Sequence, residues 1–327
     1  MGLNVSMLFT LPIQIGPSYR EVLLAHERIQ PFIKRTPVMT SESLNRITNA
    51  ELYFKCENLQ KVGAFKFRGA CNAVFSLSDE EARKGVATHS SGNHAAALAL
   101  AARLRGIPAT IVMPKNASSV KIEAVKGYGG TIVFCEPTLH ARETTLNRIV
   151  QETGATFIPP YNYCPVIAGQ GTAALELLDD TPALDLLIAP IGGGGLISGT
   201  AIAALGKSPT TKVIGAEPAN ADDAFRSFYA HTLVPQTAPN TIADGLLTSL
   251  GNITFSIIQR YVAGIFTAKE ETILCTMRLV WERMKLIIEP SAAVPLAIVL
   301  EHAHFFSGKR IGIIFSGGNV DLSQRFW

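Results

Sequence analysis

Four consecutive glycines, Gly192-Gly193-Gly194-Gly195, follow the apolar run Leu186-Leu187-Ile188-Ala189-Pro190-Ile191 and precede Leu196-Ile197-Ser198-Gly199-Thr200, the start of an Ala-rich stretch. Residues without a Cβ let successive backbone N–H groups converge on an anion. A helix N-terminus adds unpaired donors and a favourable dipole, so strand, glycines and helix together make a phosphate cradle. The plainer reading is a tight strand-to-helix turn, which rarely needs four glycines. A dinucleotide fingerprint, Gly-x-Gly-x-x-Gly/Ala, is incomplete in both registers, which end on Ile197 and Ser198, and no P-loop Lys-Ser/Thr pair follows. A single phosphate monoester fits the loop better. Lys66 lies in Lys61-Val62-Gly63-Ala64-Phe65-Lys66-Phe67-Arg68-Gly69-Ala70 at the start of an expected helix. Apolar neighbours would lower its amine pKa by desolvation, as an imine-forming lysine requires, although a lysine taken alone is most often a solvated surface charge. Ser90-Ser91-Gly92-Asn93-His94 ends another expected strand and feeds another Ala-rich helix. Its hydroxyls, amide and N–H groups suit a carboxylate, and the alternative is an N-cap supplied by Ser90 or Asn93.

The elements that position these loops follow one grammar from about Gly85 onward: a short apolar or β-branched run, Gly/Ser/Asn/Pro punctuation, then a helical stretch rich in Ala and Leu. Strands are predicted at Leu52–Lys55, Val86–Thr88, Ala109–Val112, Thr131–Phe134, Leu186–Pro190, Val213–Glu217, Gly264–Thr267 and Ile311–Phe315. Helices are predicted at Ala95–Leu104, Ser118–Tyr128, Thr172–Leu178 and Glu271–Arg283, with another beginning near Leu139. The fold class is α/β, and the near-continuous hydrophobicity of the strands predicts a parallel arrangement buried on both faces. Open parallel sheets bind ligands beyond the carboxyl ends of their strands, which is where all three loops fall.

The chain has 327 residues, a length that suggests about two domains. Apolar residues make up 47% and charged residues 17%, a globular rather than disordered composition. With 29 Lys and Arg against 26 Asp and Glu, the net charge is +3 and no basic run occurs, so neither nucleic acid nor an anionic membrane is an expected partner. The five cysteines are scattered, without a CxxC pair, and read as reduced core thiols. The apolar stretch Met1–Gly16 lacks a basic start and contains Pro12, so neither a signal peptide nor a membrane span is expected, and a cytoplasmic location is the default. The seven histidines show no HExxH or HxxEH spacing, which argues against a catalytic zinc.

Together, Ala-Phe-Lys-Phe-Arg-Gly, Ser-Ser-Gly-Asn-His, the glycine loop and Ser316-Gly317-Gly318-Asn319 resemble the fold-type II pyridoxal-phosphate (PLP) enzymes, in the serine racemase and serine/threonine dehydratase family. The resemblance spans about residues 18 to 323, with the motifs in family order. Val280-Trp281-Glu282-Arg283-Met284-Lys285, Ile288-Glu289-Pro290, Thr241-Ile242-Ala243-Asp244-Gly245 and Gly317-Gly318-Asn319-Val320-Asp321 look most like the serine racemases. Ser91 also stands where threonine dehydratases typically carry Ala.

The resemblance implies the following roles. Lys66 binds PLP covalently and moves the Cα proton on one face of the substrate, and Ser91 does so on the other. The glycines Gly192, Gly193, Gly194 and Gly195 hold the phosphate, Phe65 packs on the ring, Asn93 bonds the ring hydroxyl oxygen, Ser316 faces the pyridine nitrogen, and Gly245 joins the cofactor site. Ser90, Ser91, Gly92, Asn93 and His94 take the substrate carboxylate, with Arg142 and Thr248 at the pocket's edge. Glu217, Asp223 and the Ala221 carbonyl hold a divalent cation, Mg²⁺ or else Ca²⁺ or Mn²⁺; two carboxylates and a carbonyl suit a hard ion, and an acidic helix start is the alternative. The implied activity is serine racemisation with L-serine dehydration, or else dehydration of L-threo-3-hydroxyaspartate or of threonine and serine. The implied architecture is two mostly parallel twisted sheets flanked by helices, with a small domain at residues 85–161 inserted into a large one at residues 1–84 and 162–327, in a homodimer. Animal members carry Gly-Gln after Asn-His, and that Gln helps bind ATP between subunits. Ala95-Ala96 stand there instead, which leaves an ATP effector open and looks more like plant or microbial members.

Overall fold

The computed structural model describes residues 16–327. The expectation for Met1–Gly16 therefore lies, but for its last residue, outside the described residues. Ten strands form two sheets: β1 (Val38–Met39), β2 (Glu51–Cys56), β3 (Val86–His89), β4 (Ala109–Pro114), β5 (Thr131–Cys135), β6 (Thr156–Phe157), β7 (Leu186–Pro190), β8 (Lys212–Pro218), β9 (Gly264–Ala268) and β10 (Arg310–Phe315). The larger sheet runs β1-β2-β10-β7-β8-β9 and the smaller β5-β4-β3-β6. All pairings are parallel except that of β1 with β2. Each predicted strand is present, lengthened by at most two residues at an end. Every residue of β7 is buried, as a strand covered on both faces requires. β2 and β10 lie side by side although they come from opposite ends of the chain, with Glu51 opposite Arg310 and Cys56 opposite Phe315.

The predicted helix Thr172–Leu178 is in fact longer, Cys164–Asp179, with Pro165 in its first turn, where a missing N–H costs nothing. Gly169 and Gly171 do not break it. A Cβ on Gly169 would stand 2.7 Å from the Arg68 carbonyl oxygen, and one on Gly171 would stand 2.7 Å from that of Gly199, so these glycines admit two neighbouring helices at close range. One neighbour is the helix Lys66–Phe75 and the other Gly195–Lys207.

Beneath Lys66 lies a charged cluster closed to water. Arg68 pairs with Glu57 at 2.7 Å and Glu176 at 2.8 Å, and Lys55 pairs with Glu176 at 2.7 Å, every side chain being at most 1% exposed. Two cations and two carboxylates cancel, and Thr36 and Thr172 add hydrogen bonds, so each buried charge is partnered. The cluster ties β2, the Lys66 helix and the helix Cys164–Asp179 into one base. Cys56, Cys71 and Cys135 are buried, but Cys164 is half-buried and Cys275 exposed, so the core reading fails for Cys275, which sits on the solvent side of its helix. No helix among the described residues is long and apolar enough to cross a membrane.

Candidate active site

Lys66 begins its helix, with Phe65 as the N-cap. Its loop is docked onto the residues after β10. The Phe65 N–H donates to the Ser316 carbonyl at 3.0 Å, the Gly318 N–H to the Gly63 carbonyl at 2.9 Å, and Ala64 bridges Gly317. The Lys66 Nζ donates to the Pro160 carbonyl at 2.8 Å and lies 5.2 Å from the centre of the Phe65 ring. Burial pulls its amine from the ordinary value down to about 8, opposed by the carboxylate of Glu289. The residue as a whole is half-buried, with its amine turned inward onto the Pro160 carbonyl.

The loop Ser90–His94 reaches the same place from the smaller sheet. The helix Asn93–Arg105 starts here, but its N-cap is Gly92 without a side-chain bond, so the expectation that Ser90 or Asn93 caps it fails. Asn93 is instead the first helical residue, and its amide turns away to Glu289 and Asn319. Among the described residues, Ser90 Oγ accepts only the Gly92 N–H, at 3.4 Å. The Ser91 hydroxyl is half-exposed and makes no hydrogen bond among the described residues. A Cβ on Gly92 would meet nothing within 4 Å, so the loop borders open space. His94 is buried, and its Nε2 bonds the Ile158 carbonyl at 2.9 Å. A carbonyl can only accept, so Nε2 carries the hydrogen and Nδ1 is left bare; burial, with Lys66 nearby, holds the ring neutral by pushing it to about 3. The strap Ile158-Pro159-Pro160 thus holds His94 at one end and Lys66 at the other.

The glycine loop lies at the next turn of this strap. A Cβ on Gly193 would stand 2.3 Å from the Tyr161 ring, and one on Gly195 would stand 2.9 Å from the Tyr161 Cβ. Gly194 adopts φ +84°, a left-handed value that favours glycine, as N-cap of the helix Gly195–Lys207. A Cβ on Gly192 would be 3.0 Å from the Gly245 carbonyl, which brings Gly245 to the cradle as expected. Thr248 lies within hydrogen-bond reach of Tyr161, whose phenol is pushed up mainly by burial. A Cβ at any of these four glycines would strike neighbouring protein, so glycine is what admits the close turn, and the unpaired N–H groups at the start of the helix Gly195–Lys207 fit the phosphate of PLP as Lys66 fits its aldehyde.

Arg142 is less central. It is half-buried on the helix Leu139–Thr153, beside His89 and Cys135, and its Nε is buried without a partner. Glu217 and Asp223, both buried, form a second constellation. Glu217 closes β8 and accepts the Ala224 N–H at 3.0 Å and the Phe225 N–H at 2.7 Å, while Asp223 accepts from Gln236 and the Leu250 N–H at 3.2 Å each. Burial, then the neighbouring Asp223, pushes Glu217 well up, and burial raises Asp223 to about 6. Ala221 is buried between them in sequence. No group of three His, Cys, Asp or Glu among the described residues could hold a metal, so carbonyl and water oxygens would complete any set. The acidic helix-start alternative is realised through Glu217 and two N–H groups.

Three residues of the site carry no role in the reading of the sequence: Tyr161, Glu289 and Asn319. Signals were present, since Tyr161 directly follows two prolines and Glu289 interrupts the apolar run Leu286-Ile287-Ile288 immediately before Pro290.

A beta-hydroxyaspartate dehydratase from Paracoccus denitrificans is 52% identical over 311 residues, covering 95% of this chain and 99% of that one. A serine racemase from Arabidopsis thaliana is 51% identical, over 92% of each chain. The crystal structure of serine racemase from Dictyostelium discoideum superposes with a TM-score of 0.90 at 49% identity, over 94% of this chain and 99% of that one. A family model described as pyridoxal-phosphate dependent enzyme matches residues 29–317, from the end of the first helix to the loop that docks Lys66, and to that family the chain belongs.

Proposed function

We propose that this enzyme interconverts L- and D-serine and also dehydrates L-serine and related β-hydroxy amino acids, releasing pyruvate and ammonia from serine. One observation carries the reading: a single strap ties the amine of Lys66 and the helix that bears Ser90–His94 to carbonyls two residues apart. That link supports reading the amine as a proton acceptor and the loop as a carboxylate receiver that act at one site. PLP, when bound, supplies the electron sink for charge left at the substrate Cα. The N–H groups at the start of the Asn93 helix receive the substrate carboxylate. Lys66, its amine softened by burial, takes the Cα proton from one side, and the Ser91 hydroxyl returns one from the other, giving inversion. Loss of the β-hydroxyl as water instead gives an enamine, which hydrolyses to keto acid and ammonia.

Roles for Phe65, Asn93, Ser316 and the glycines toward PLP, and for Arg142 and Thr248 toward substrate, belong to this proposal. So does a Mg²⁺ ion, or Ca²⁺ or Mn²⁺, at Glu217, Asp223 and the Ala221 carbonyl, supported by two buried carboxylates whose charges oppose one another. We read residues 85–161, which contain all four strands of the smaller sheet, as a small domain inserted between residues 1–84 and 162–327, and the working form as a cytoplasmic homodimer. A dedicated dehydratase of L-threo-3-hydroxyaspartate or of threonine and serine is the second reading. The unpartnered Nε of Arg142 favours it, as a donor for a second carboxylate.

The test is an assay of the PLP-loaded enzyme with Mg²⁺ on L-serine, D-serine, L-threonine and L-threo-3-hydroxyaspartate, scoring chiral inversion and keto-acid release. D-serine formed from L-serine is the expected result. Keto acid without inversion, fastest on hydroxyaspartate or threonine, replaces the first reading with the second.

A further inference from the structure

Glu289 is the N-cap of the helix Pro290–Glu301, yet its side chain makes no bond to that helix. It turns into the site. The carboxylate, on a residue 4% exposed, accepts from the Asn93 Nδ2 nitrogen, which lies 3.1 and 3.2 Å from its two oxygens, and from the Asn319 backbone N–H at 3.2 Å. Behind it the wall is backbone: a Cβ on Gly317 would fall 2.7 and 3.0 Å from the two oxygens. Glycine at that position is what lets the carboxylate approach the residue beside Ser316.

Asn93 is fixed at both ends of its amide. Its oxygen accepts from Asn319 Nδ2 at 2.8 Å, and that same nitrogen donates to the Val62 carbonyl at 2.7 Å. Turning the Asn93 amide over would set its oxygen against the carboxylate, so Glu289 dictates which end faces which way. With the oxygen occupied and one hydrogen spent on Glu289, the remaining N–H is what the Asn93 side chain offers the pocket. Val62 holds φ +57°, a left-handed value unusual for a β-branched residue, four positions before Lys66. Asn319 therefore braces the loop that delivers Lys66 while it orients Asn93.

The charged groups facing this carboxylate are few. Asp244, in the turn Asp244–Leu246, and Lys121, on the helix Ser119–Gly127, both act on it, but they pair with each other at 2.9 Å. Lys66 is the remaining cation, and it has no ion pair among the described residues. His94 faces Lys66 and is neutral.

We propose that Glu289 is a positioning residue of the reaction: its carboxylate fixes the Asn93 amide with an N–H turned to the cofactor's ring oxygen, and its charge keeps the Lys66 nitrogen protonated when it carries the cofactor. Burial, then Asp244, raises Glu289 to about 7, which leaves it largely charged on the alkaline side. The inference rests on Lys66 being the cofactor-bearing lysine.

The experiment is a spectrophotometric pH titration of the PLP-loaded enzyme, following the visible band of the protonated lysine-bound cofactor. In Glu289→Gln the midpoint falls by about one pH unit or more, a tenfold loss of proton affinity, and kcat falls more than KM rises. In Glu289→Asp, which keeps the charge, it stays within about half a unit of wild type. A Glu289→Gln midpoint within about half a unit of wild type overturns the proposal. If Glu289→Gln does not retain the cofactor, Glu289→Asp decides: a drop of about one unit or more there, with the charge intact, overturns it. A visible band that survives Lys66→Ala instead defeats the reading of Lys66, and this inference with it.

Discussion

Tyr161 stands over Gly193 so closely that a Cβ on the glycine would lie 2.3 Å from the ring. The cradle is thus shaped by an aromatic side chain held through the Asn162 amide, whose oxygen accepts the Ile253 N–H at 3.0 Å. Gly193→Ala must push the ring out of place, and the enzyme should release PLP at least about tenfold more readily, a cost of about 1.4 kcal/mol. Equilibrium dialysis read by visible absorbance measures this, and unchanged retention would show that the ring yields freely.

The amine of Lys66 is set by burial to about 8. Only the neutral amine attacks an aldehyde, so PLP capture by the cofactor-free chain should accelerate with pH and level off just above about 8. The same depression makes the folded chain bind this proton less tightly than the unfolded one. Its unfavourable contribution is full below about 8 and disappears above the ordinary 10.5. Lys66→Met should therefore raise the cofactor-free Tm at neutral pH and leave it unchanged above the ordinary lysine value; a rise of equal size at both would reject the electrostatic cause.

Ser91→Ala removes one hydroxyl from the border of the pocket. Racemisation should fall by about a hundredfold or more while elimination from L-serine persists, because only the second proton transfer is lost. Parallel assays of inversion and pyruvate release distinguish the two, and equal retention of both would acquit Ser91.

Arg68→Met leaves Glu57 and Glu176 sharing Lys55 as their cation in a site closed to water. The urea midpoint should correspond to a loss of about 3–5 kcal/mol, partly recovered by adding Glu57→Gln. A loss comparable to that of an exposed pair would mean that water reaches the cluster.

Mg²⁺ at a hundredfold excess over its dissociation constant should stabilise the fold by about 2.7 kcal/mol, seen as a higher Tm. Glu217→Ala should abolish that increment. An increment of the same size in the variant would place any bound ion elsewhere.

Much of this architecture was readable because buried parallel strands leave unbroken apolar runs such as Leu186–Pro190, bounded by the glycines and prolines that turn the chain. What escaped has physical causes. β1 and β6 have two residues each, too few for any period to register. The first helix, Tyr19–Ile29, carries a capping box between Ser18 and Glu21, a local signal that lies ahead of the strand–helix grammar beginning near Gly85. The predicted helix Thr172–Leu178 began eight residues late, because the helices that Gly169 and Gly171 admit are distant in sequence. The loops around Lys66, Ser90–His94 and Gly192–Gly195 were legible by residue type. The partners of Asn93, by contrast, lie 196 and 226 positions away, beyond the reach of local pattern.

The pairing of β2 with β10 also dictates an order of events during synthesis. The smaller sheet is complete once Phe157 has emerged, whereas the shelf that supports Lys66 is made from residues 316–318. A nascent chain can therefore assemble one lobe early, but it owns no finished lysine pocket until residues 316–318 have emerged. A chain truncated before Arg310 carries Lys66 without the seat that β10 and the residues after it provide.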